Sequence, residues 1–270
     1  MPEEGIVPFE RLIVKFSPLG VTRVEWELSR LFSDPGPYVF TLQGAQSSVE
    51  TANFINIGSP STNTWFLNDD NVRVFGKSLD WSYRVKLVTA IRTYYSSAAS
   101  LDSGVDYRTW RIAKEIIRKE KLRMANFTGL TDARLFKRKR SGTKCTRCAD
   151  YLTDETTDGN CSVCLGTGII NGYFRAVPIL IEIPVSNEIE KIELDARGTI
   201  SQGTVSNCRV IGDSVESQDV IWDVNSGRRY IIHESTELVT IRGYNIVTSV
   251  NLRTSPYTDV VYTIPEEGIQ

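Results

Sequence analysis

Histidine is nearly absent from this sequence, since His233 is the only one among 270 residues. A single imidazole excludes metal sites built from several histidines and most acid–base chemistry that relies on histidine. His233 lies in a strand-like run beside Glu234, and neighbours on a strand point to opposite faces, so we expect a structural histidine. Nucleophile-elbow, phosphate-loop, HExxH and dinucleotide-binding motifs are missing as well. The sequence therefore predicts a protein without a catalytic site.

Strong net charge and long apolar runs are also missing. The formal net charge is −2, which gives no overall attraction to nucleic acid or to a membrane. No run approaches the ~18 apolar residues of a membrane span. The acidic amino terminus, Met1 to Gly5, has no apolar core of the kind that a secretory signal needs. Paired CxxC turns without an export signal lead us to expect assembly in a reducing cytoplasm.

The sequence does contain two closely spaced cysteine turns. Cys145, Cys148, Cys161 and Cys164 form a CxxC pair followed by a second CxxC pair. Each turn can present two thiolates to one ion, and together they make a tetrahedral four-thiolate site with no position left for a substrate. The pattern predicts structural zinc, with iron or an iron–sulfur cluster as the alternative. Two disulfides or free thiols are the other interpretation of the same cysteines.

The residues before the first cysteine are strongly basic. The run, which Leu135 and Phe136 interrupt, contains Arg134, Lys137, Arg138, Lys139, Arg140 and Lys144. It could contact nucleic-acid phosphates or dock on an acidic patch of a partner subunit. It could also be a solubilising linker whose charges stabilise the nearby thiolates. The loop between the cysteine turns is acidic, which weighs against a nucleic-acid contact.

Residues 1–102 have the pattern of short β-strands separated by turns. One run places Val24 and Trp26 on one face and Arg23 and Glu25 on the other, which predicts one buried face and one solvent face. About seven such runs, with a tryptophan on an early inner face, are typical of a sandwich. We expect an immunoglobulin-like or fibronectin-type β-sandwich here.

Residues 103–172 begin with a change to helical periodicity. Tyr107, Ala113, Ile117 and Met124 recur at helical spacing, and basic residues cover the opposite face. This pattern predicts an amphipathic helix. The middle region is therefore expected to contain a helix, a basic linker and a four-cysteine metal-binding ribbon.

Residues 173–270 return to strand patterns. An Asn-Ser-Gly turn between Trp222 and Arg228 predicts a tight hairpin, and Ile189 to Leu194 is a further strand candidate. Cys208, outside the paired turns, is expected to be a small buried apolar residue. The prediction for this region is an antiparallel, barrel-like domain. The whole chain is thus expected to be mostly β and multidomain.

Several segments resemble known families. Cys161 to Gly168 resembles the CxxCxGxG unit in the zinc region of J-domain co-chaperones, but no J-domain signature accompanies it. The stretch from the basic helix at Tyr107–Met124 through both cysteine turns to Tyr173-Phe174 resembles virion structural proteins of tailed bacteriophages. The segment from Trp222 to Tyr262 is similar to the β barrels of small head–tail connector and neck subunits.

The resemblance to virion proteins implies a non-enzymatic structural subunit of the neck or head–tail connection. Its place would be the virion, assembled in the host cytoplasm, and its partners would be copies of itself and other virion subunits. No membrane and no small-molecule substrate are expected. A baseplate or tail subunit is an alternative within the same resemblance. A nucleic-acid-binding zinc-ribbon protein is the alternative that the basic run suggests.

Overall fold

A computed structural model of the protein describes residues 8–16, 21–32, 34–46, 53–70, 81–100, 107–128, 130–150, 156–184, 204–211, 214–241 and 244–265. The strand candidate at 189–194 lies outside the described residues. The chain divides into two compact units. The first comprises Met1–Arg111, Lys139–Lys144 and Gln270, and the second comprises Ile112–Arg138 and Cys145–Ile269.

Strands dominate the described residues, as the sequence predicted. They are β1 (Phe9–Phe16), β2 (Thr22–Leu28), β3 (Val39–Ala45), β4 (Ile55–Thr62), β5 (Phe66–Asp69), β6 (Ser82–Val88), β7 (Thr93–Tyr95), β8 (Ala99–Ser100), β9 (Leu130–Phe136), β10 (Val177–Glu182), β11 (Thr204–Ile211), β12 (Val220–Asp223), β13 (Arg229–Ile241) and β14 (Tyr244–Thr254). Helix α1 spans Tyr107–Arg123 and continues into a π-helical turn at Met124–Thr128. A 3-10 turn covers Val260–Thr263.

Two antiparallel sheets make up the first unit. One has the strand order β1-β2-β5, and the other has the order β4-β3-β6-β7 with β8 paired to β6. Both sheets contribute to one hydrophobic core. The rings of Trp26 on β2 and Phe40 on β3, for example, have centroids 4.9 Å apart. The tryptophan is therefore on an inner face, as its alternation predicted, while the immunoglobulin-like class of this unit stays a prediction.

The charged face predicted for β2 does not point to solvent. Arg23 and Glu25 are 7% and 8% exposed. β2 is the central strand of its sheet, and neighbouring side chains cover both residues: Lys15 pairs with Glu25 at 2.7 Å, and the Arg23 guanidinium lies 4.3 Å from the centre of the Phe66 ring. The alternation correctly predicted that Arg23 and Glu25 share one face of the strand. The prediction that this face is exposed to solvent was wrong.

The second unit is built on a closed six-stranded barrel. Its strands follow the order β9-β10-β11-β14-β13-β12, and β12 pairs with β9 to close the ring. All neighbouring pairs are antiparallel. Closure leaves no free sheet edge along the paired segments. The hairpin predicted around Asn225-Ser226-Gly227 joins β12 to β13, and Gly227 has the positive φ of +71° that this turn requires.

The barrel interior is filled with apolar side chains. Along β9, Ala133 and Leu135 are buried while Arg134 between them is exposed, which is the alternation of a barrel strand. Ile181, Cys208 and other residues from the remaining strands complete the core. Cys208 is fully buried, so its predicted role as a small buried residue is confirmed.

Helix α1 covers one side of the barrel through its apolar stripe. Ala113, Ile117 and Met124 are buried against barrel residues that include Ile246 and Val247. The predicted stripe is confirmed for these residues. Glu182, on β10, fixes the end of the helix, because its carboxylate binds the Arg123 guanidinium at 2.5 Å.

The cysteine region is an insertion between two adjacent barrel strands. β9 ends at Phe136 and β10 begins at Val177, and these strands pair directly. The sequence analysis placed a domain boundary at residue 173. This boundary divides the barrel, because β9 lies in the segment that was assigned to the helix, linker and ribbon. In the part of the chain that the structure describes, no helix has the length and apolar character needed to cross a membrane.

Candidate metal centre

The two cysteine turns bring four sulfur atoms together inside the insertion. The Sγ atoms of Cys145, Cys148, Cys161 and Cys164 all lie within 4.8 Å of one another. The Sγ–Sγ distance is 3.1 Å between Cys148 and Cys164, and 3.9 Å between Cys145 and Cys161. All four side chains are buried and none forms a disulfide. The prediction that both turns converge on one point is therefore confirmed.

Backbone hydrogen bonds give the turns their shape. The Cys145 N–H donates to the Gly168 carbonyl at 2.8 Å, which ties the first turn to the second. Gly166 and Gly168 have φ values of +74° and +81°, a conformation that glycine adopts without cost. A Cβ on Gly166 would collide with the Gly159 carbonyl oxygen. The second turn thus requires glycine both for its dihedral angle and for its close backbone contact.

The protein environment acts on the thiols in opposite directions. N–H groups of Cys164 and Val163 donate to the Cys161 sulfur and lower the pKa of its thiol to about 6. Burial raises the pKa of Cys148, and the neighbouring Cys164 and Cys161 sulfur atoms add to this effect. Burial also raises the pKa of Cys164. Four thiolates packed this closely need a positive charge at their centre.

The geometry fits a tetrahedral metal ion. Four sulfur ligands about 2.3 Å from zinc lie about 3.8 Å from one another; the Cys145–Cys161 distance of 3.9 Å matches this value, and the Cys148–Cys164 distance of 3.1 Å is shorter. Cysteine thiolates suit zinc and also iron. Four protein ligands fill a tetrahedral site, so the arrangement leaves no coordination position for a reacting substrate. The four cysteines could therefore hold a metal ion in a structural role.

A buried carboxylate joins the insertion to the barrel. Asp219 is 2% exposed, and its oxygens accept hydrogen bonds from the backbone N–H groups of Arg138 and Glu216, both at 2.9 Å. The Lys137 ammonium lies 3.9 Å from the same carboxylate and 3.1 Å from Glu216. Burial raises the pKa of Asp219 to about 6. The sequence offered no signal for this group, because Lys137 and Arg138 are about eighty residues away and lie next to Asp219 only in the barrel.

The basic run is divided between the barrel, the base of the insertion and exposed positions. Arg134 and Arg140 are exposed. Lys137 is occupied by the Asp219 cluster, and the Arg138 guanidinium donates to the Thr167 carbonyl at 3.2 Å. Burial lowers the pKa of Lys139 to about 8. The run is thus partly a barrel strand rather than a linker. A contact of these residues, or of Lys144, with a partner or phosphate stays a prediction.

The single histidine is exposed on β13, although the sequence predicted a structural residue. Its side chain and that of Arg253 have no hydrogen bond or ion pair among the described residues. Both line a cavity of about 590 Å³ at the junction of insertion and barrel. The sequence analysis missed this cavity because its walls come from segments far apart in the chain.

Fold and site together define a β-rich protein in which a closed barrel carries a four-cysteine insertion. Comparison of the chain with protein-family models, with curated proteins and with solved structures found no match.

Proposed function

We propose that the chain is a non-enzymatic structural subunit of a tailed-phage virion, located in the neck or head–tail connection. In this proposal a metal ion bound by Cys145, Cys148, Cys161 and Cys164 holds the insertion in a fixed shape on the barrel. The observation that carries the proposal is the convergence of four buried thiols within 4.8 Å. Such a closed site supports folding and leaves no position for catalysis.

Two further features support a structural role. The insertion is anchored at its base by the Asp219 cluster, which connects it to the barrel, and the four cysteine side chains are buried. The two sheets of the first unit would form an immunoglobulin-like or fibronectin-like module, and such modules commonly space or dock neighbouring proteins. The resemblance of the cysteine region and the final strands to virion proteins gives the assembly in which this architecture would be used.

Zinc is the proposed metal, and iron or an iron–sulfur cluster is the alternative for the same ligands. Ultraviolet–visible absorbance separates them, because iron–thiolate centres absorb visible light and a zinc site does not.

Immunogold electron microscopy tests the location. Antibodies against the purified protein are applied to tailed particles from the source of the sequence. We expect gold at the head–tail junction in every particle. Gold at the baseplate or along the tail would support the alternative location within the virion. Particles that contain no copy of the protein, by labelling and by mass spectrometry, would contradict the proposal.

A nucleic-acid-binding zinc ribbon is the second candidate. The observation in its favour is the exposed basic face of α1, which includes Arg108, Arg111, Lys114, Arg118 and Lys119. This candidate predicts micromolar or tighter binding to DNA or RNA with a steep salt dependence. Fluorescence anisotropy with a labelled duplex at ~50 mM salt measures both. A flat salt response or absence of binding would reject it.

A further inference from the structure

The cavity at the junction of insertion and barrel has the dimensions of a small ligand site. Its volume is about 590 Å³, within the range of roughly 300–1,000 Å³ that is usual for such sites. Segments of the second unit surround it: the second cysteine turn, the loop before β12, strands β13 and β14, and the 3-10 turn. A binding site here is distinct from the sulfur cluster.

The mostly buried side chain of Tyr173 lines this cavity. Tyr173 is 5% exposed, and burial raises the pKa of its phenol to about 12, so the hydroxyl carries its proton at neutral pH. No hydrogen bond joins the hydroxyl to another described residue. The oxygen is not among the fully buried atoms that lack a partner, so it is accessible from the space that Tyr173 lines. The Tyr173 hydroxyl is therefore a donor available to a ligand in the cavity.

Two guanidinium groups and one imidazole line the same space. The Arg253 side chain has no hydrogen bond or ion pair among the described residues, and His233 on the neighbouring strand is likewise unpaired. Arg138 donates to the Thr167 carbonyl, and a guanidinium has five N–H donors, so other donors remain. Donors of this kind bind an oxyanion through charge-assisted hydrogen bonds.

Two carboxylates at the cavity limit which oxyanion fits. Asp158 and Asp259 both line the cavity, and each accepts a backbone hydrogen bond, from Asn160 and Val261 respectively. They would repel the successive phosphates of a nucleic-acid backbone. A ligand with one negative charge and an apolar stem meets less of this repulsion than a polyanion does.

The apolar part of the lining accommodates such a stem. Leu165, Ile231 and Val260 line the cavity beside the charged groups, and Leu165 and Val260 are buried in one hydrophobic cluster. The methylene groups of an acidic side chain would contact these residues while its carboxylate reaches the arginines and the tyrosine hydroxyl.

We propose that this cavity binds a carboxylate-bearing peptide segment of a neighbouring protein subunit. The carboxylate would accept hydrogen bonds from Tyr173, Arg138 and Arg253. The inference rests on the proposed function as an assembly subunit, because it requires neighbours that present such a segment.

A titration of the isolated protein with a side-chain analogue tests the proposal. N-acetyl-glutamate N-methylamide is added to the ¹⁵N-labelled protein, and N-acetyl-glutamine N-methylamide is the neutral control of the same shape. We expect saturable amide shifts at Gly159, Gly166 and Gln218, with a dissociation constant on the order of 1 mM. The glutamine analogue should produce no saturable shift.

Substitutions then locate the binding groups. Arg253→Gln and Tyr173→Phe should each weaken binding about tenfold, since each removes a donor to a charged acceptor. Arg30→Gln removes an exposed arginine that does not line the cavity and should leave binding unchanged. Equal binding of both analogues, or wild-type affinity in Arg253→Gln and Tyr173→Phe, would overturn the proposal.

Two further probes distinguish other ligands. Tighter saturation of the same amides by inorganic phosphate, or by an oligothymidylate, would replace the carboxylate by a phosphate ligand and overturn this assignment. The titration requires no assembled particle. Its failure therefore leaves the location in the virion to the immunogold experiment, and absence from virions leaves the titration result intact.

Discussion

The barrel and the cysteine insertion are neighbours in one unit, but they are stabilised in different ways. The barrel core contains apolar side chains from all six strands, including Leu135, Ile181 and Leu252. The insertion has a buried cluster of its own that consists of the four cysteines, with Ala149 packed against them, and it contributes Leu165 and Tyr173 to a small apolar cluster at the barrel. Burial of apolar area contributes roughly 25 cal/mol per Å², which stabilises the barrel but has little to act on around the sulfur atoms. The insertion therefore depends on its sulfur atoms and on what they bind.

Removal of one sulfur ligand should have the largest effect on the insertion, and it tests whether the insertion and the barrel are stabilised separately. Cys164→Ser should abolish stable metal binding, which contributes on the order of 10 kcal/mol in structural zinc sites. We expect limited proteolysis within the insertion and loss of dispersed amide signals there, while the barrel signals persist. The matched control is Cys208→Ala, which changes the cysteine of the barrel core and should leave metal content unchanged. Simultaneous unfolding of barrel and insertion in Cys164→Ser would contradict the separation.

A substitution in the apolar core tests the source of stability of the barrel. Leu252 is fully buried, and Leu252→Ala should lower the free energy of unfolding by about 2–5 kcal/mol through lost burial and a cavity. Denaturant unfolding monitored by tryptophan fluorescence measures the change. Val224, which is 43% exposed, is the control, and Val224→Ala should change stability by less than about 0.5 kcal/mol. An equal effect of both substitutions would show that the assigned barrel core is not the source of stability.

Asp219, at the base of the insertion, should give the second unit a measurable pH dependence. Its pKa is raised from 3.8 to about 6 in the folded protein. A raised carboxylate pKa means that the folded state binds the proton more tightly. The resulting stability is therefore complete below pH 3.8 and is lost as pH rises through 6.

The difference between wild type and Asp219→Asn isolates this contribution. The unfolding free energy of wild type, relative to that of the variant, should fall by about 2 kcal/mol between pH 4 and pH 7. Urea titrations at several pH values measure it. A constant difference over this range would show that Asp219 ionises in the folded protein as it does in the unfolded chain.

Two glycines, one in each region, allow the smallest expected effects on stability and metal affinity to be compared. Gly166 in the insertion and Gly227 in the barrel hairpin both have positive φ, but only at Gly166 would a Cβ meet backbone atoms. Gly227→Ala should cost about 1 kcal/mol from the dihedral angle alone and leave metal affinity unchanged. Gly166→Ala should also weaken metal binding about tenfold, as measured by competition with a chelator. Equal metal affinities of the two variants would show that the Gly166–Gly159 approach does not support the site.

The sequence predicted those elements that are determined by residues close together in the chain. The convergence of the cysteine turns followed from CxxC spacing, the hairpin at Gly227 from its turn residues, and the buried stripe of α1 from helical periodicity. β9 was missed although Ala133 and Leu135 alternate with charged residues, because the high charge of the segment favoured a linker. Its place in the barrel depends on pairing with β10 and β12, which are distant in sequence.

The features of the candidate sites that the sequence did not reveal depend on tertiary contacts between segments that are distant in the chain. Asp219 meets Lys137 and Arg138 only because the barrel closes, and the unpaired donors of Tyr173 and Arg253 share a cavity only because the insertion lies on the barrel. Similarly, Glu25 is buried because another strand supplies Lys15. Charge patterns along one strand do not specify which side chains will cover them.

The metal content of the natively purified protein tests the central claim most directly. Inductively coupled plasma mass spectrometry should find one zinc ion per chain, or iron together with visible absorbance, and almost none in Cys164→Ser. A metal-free wild-type protein that keeps the insertion folded and has four freely reactive thiols in that segment would contradict the account.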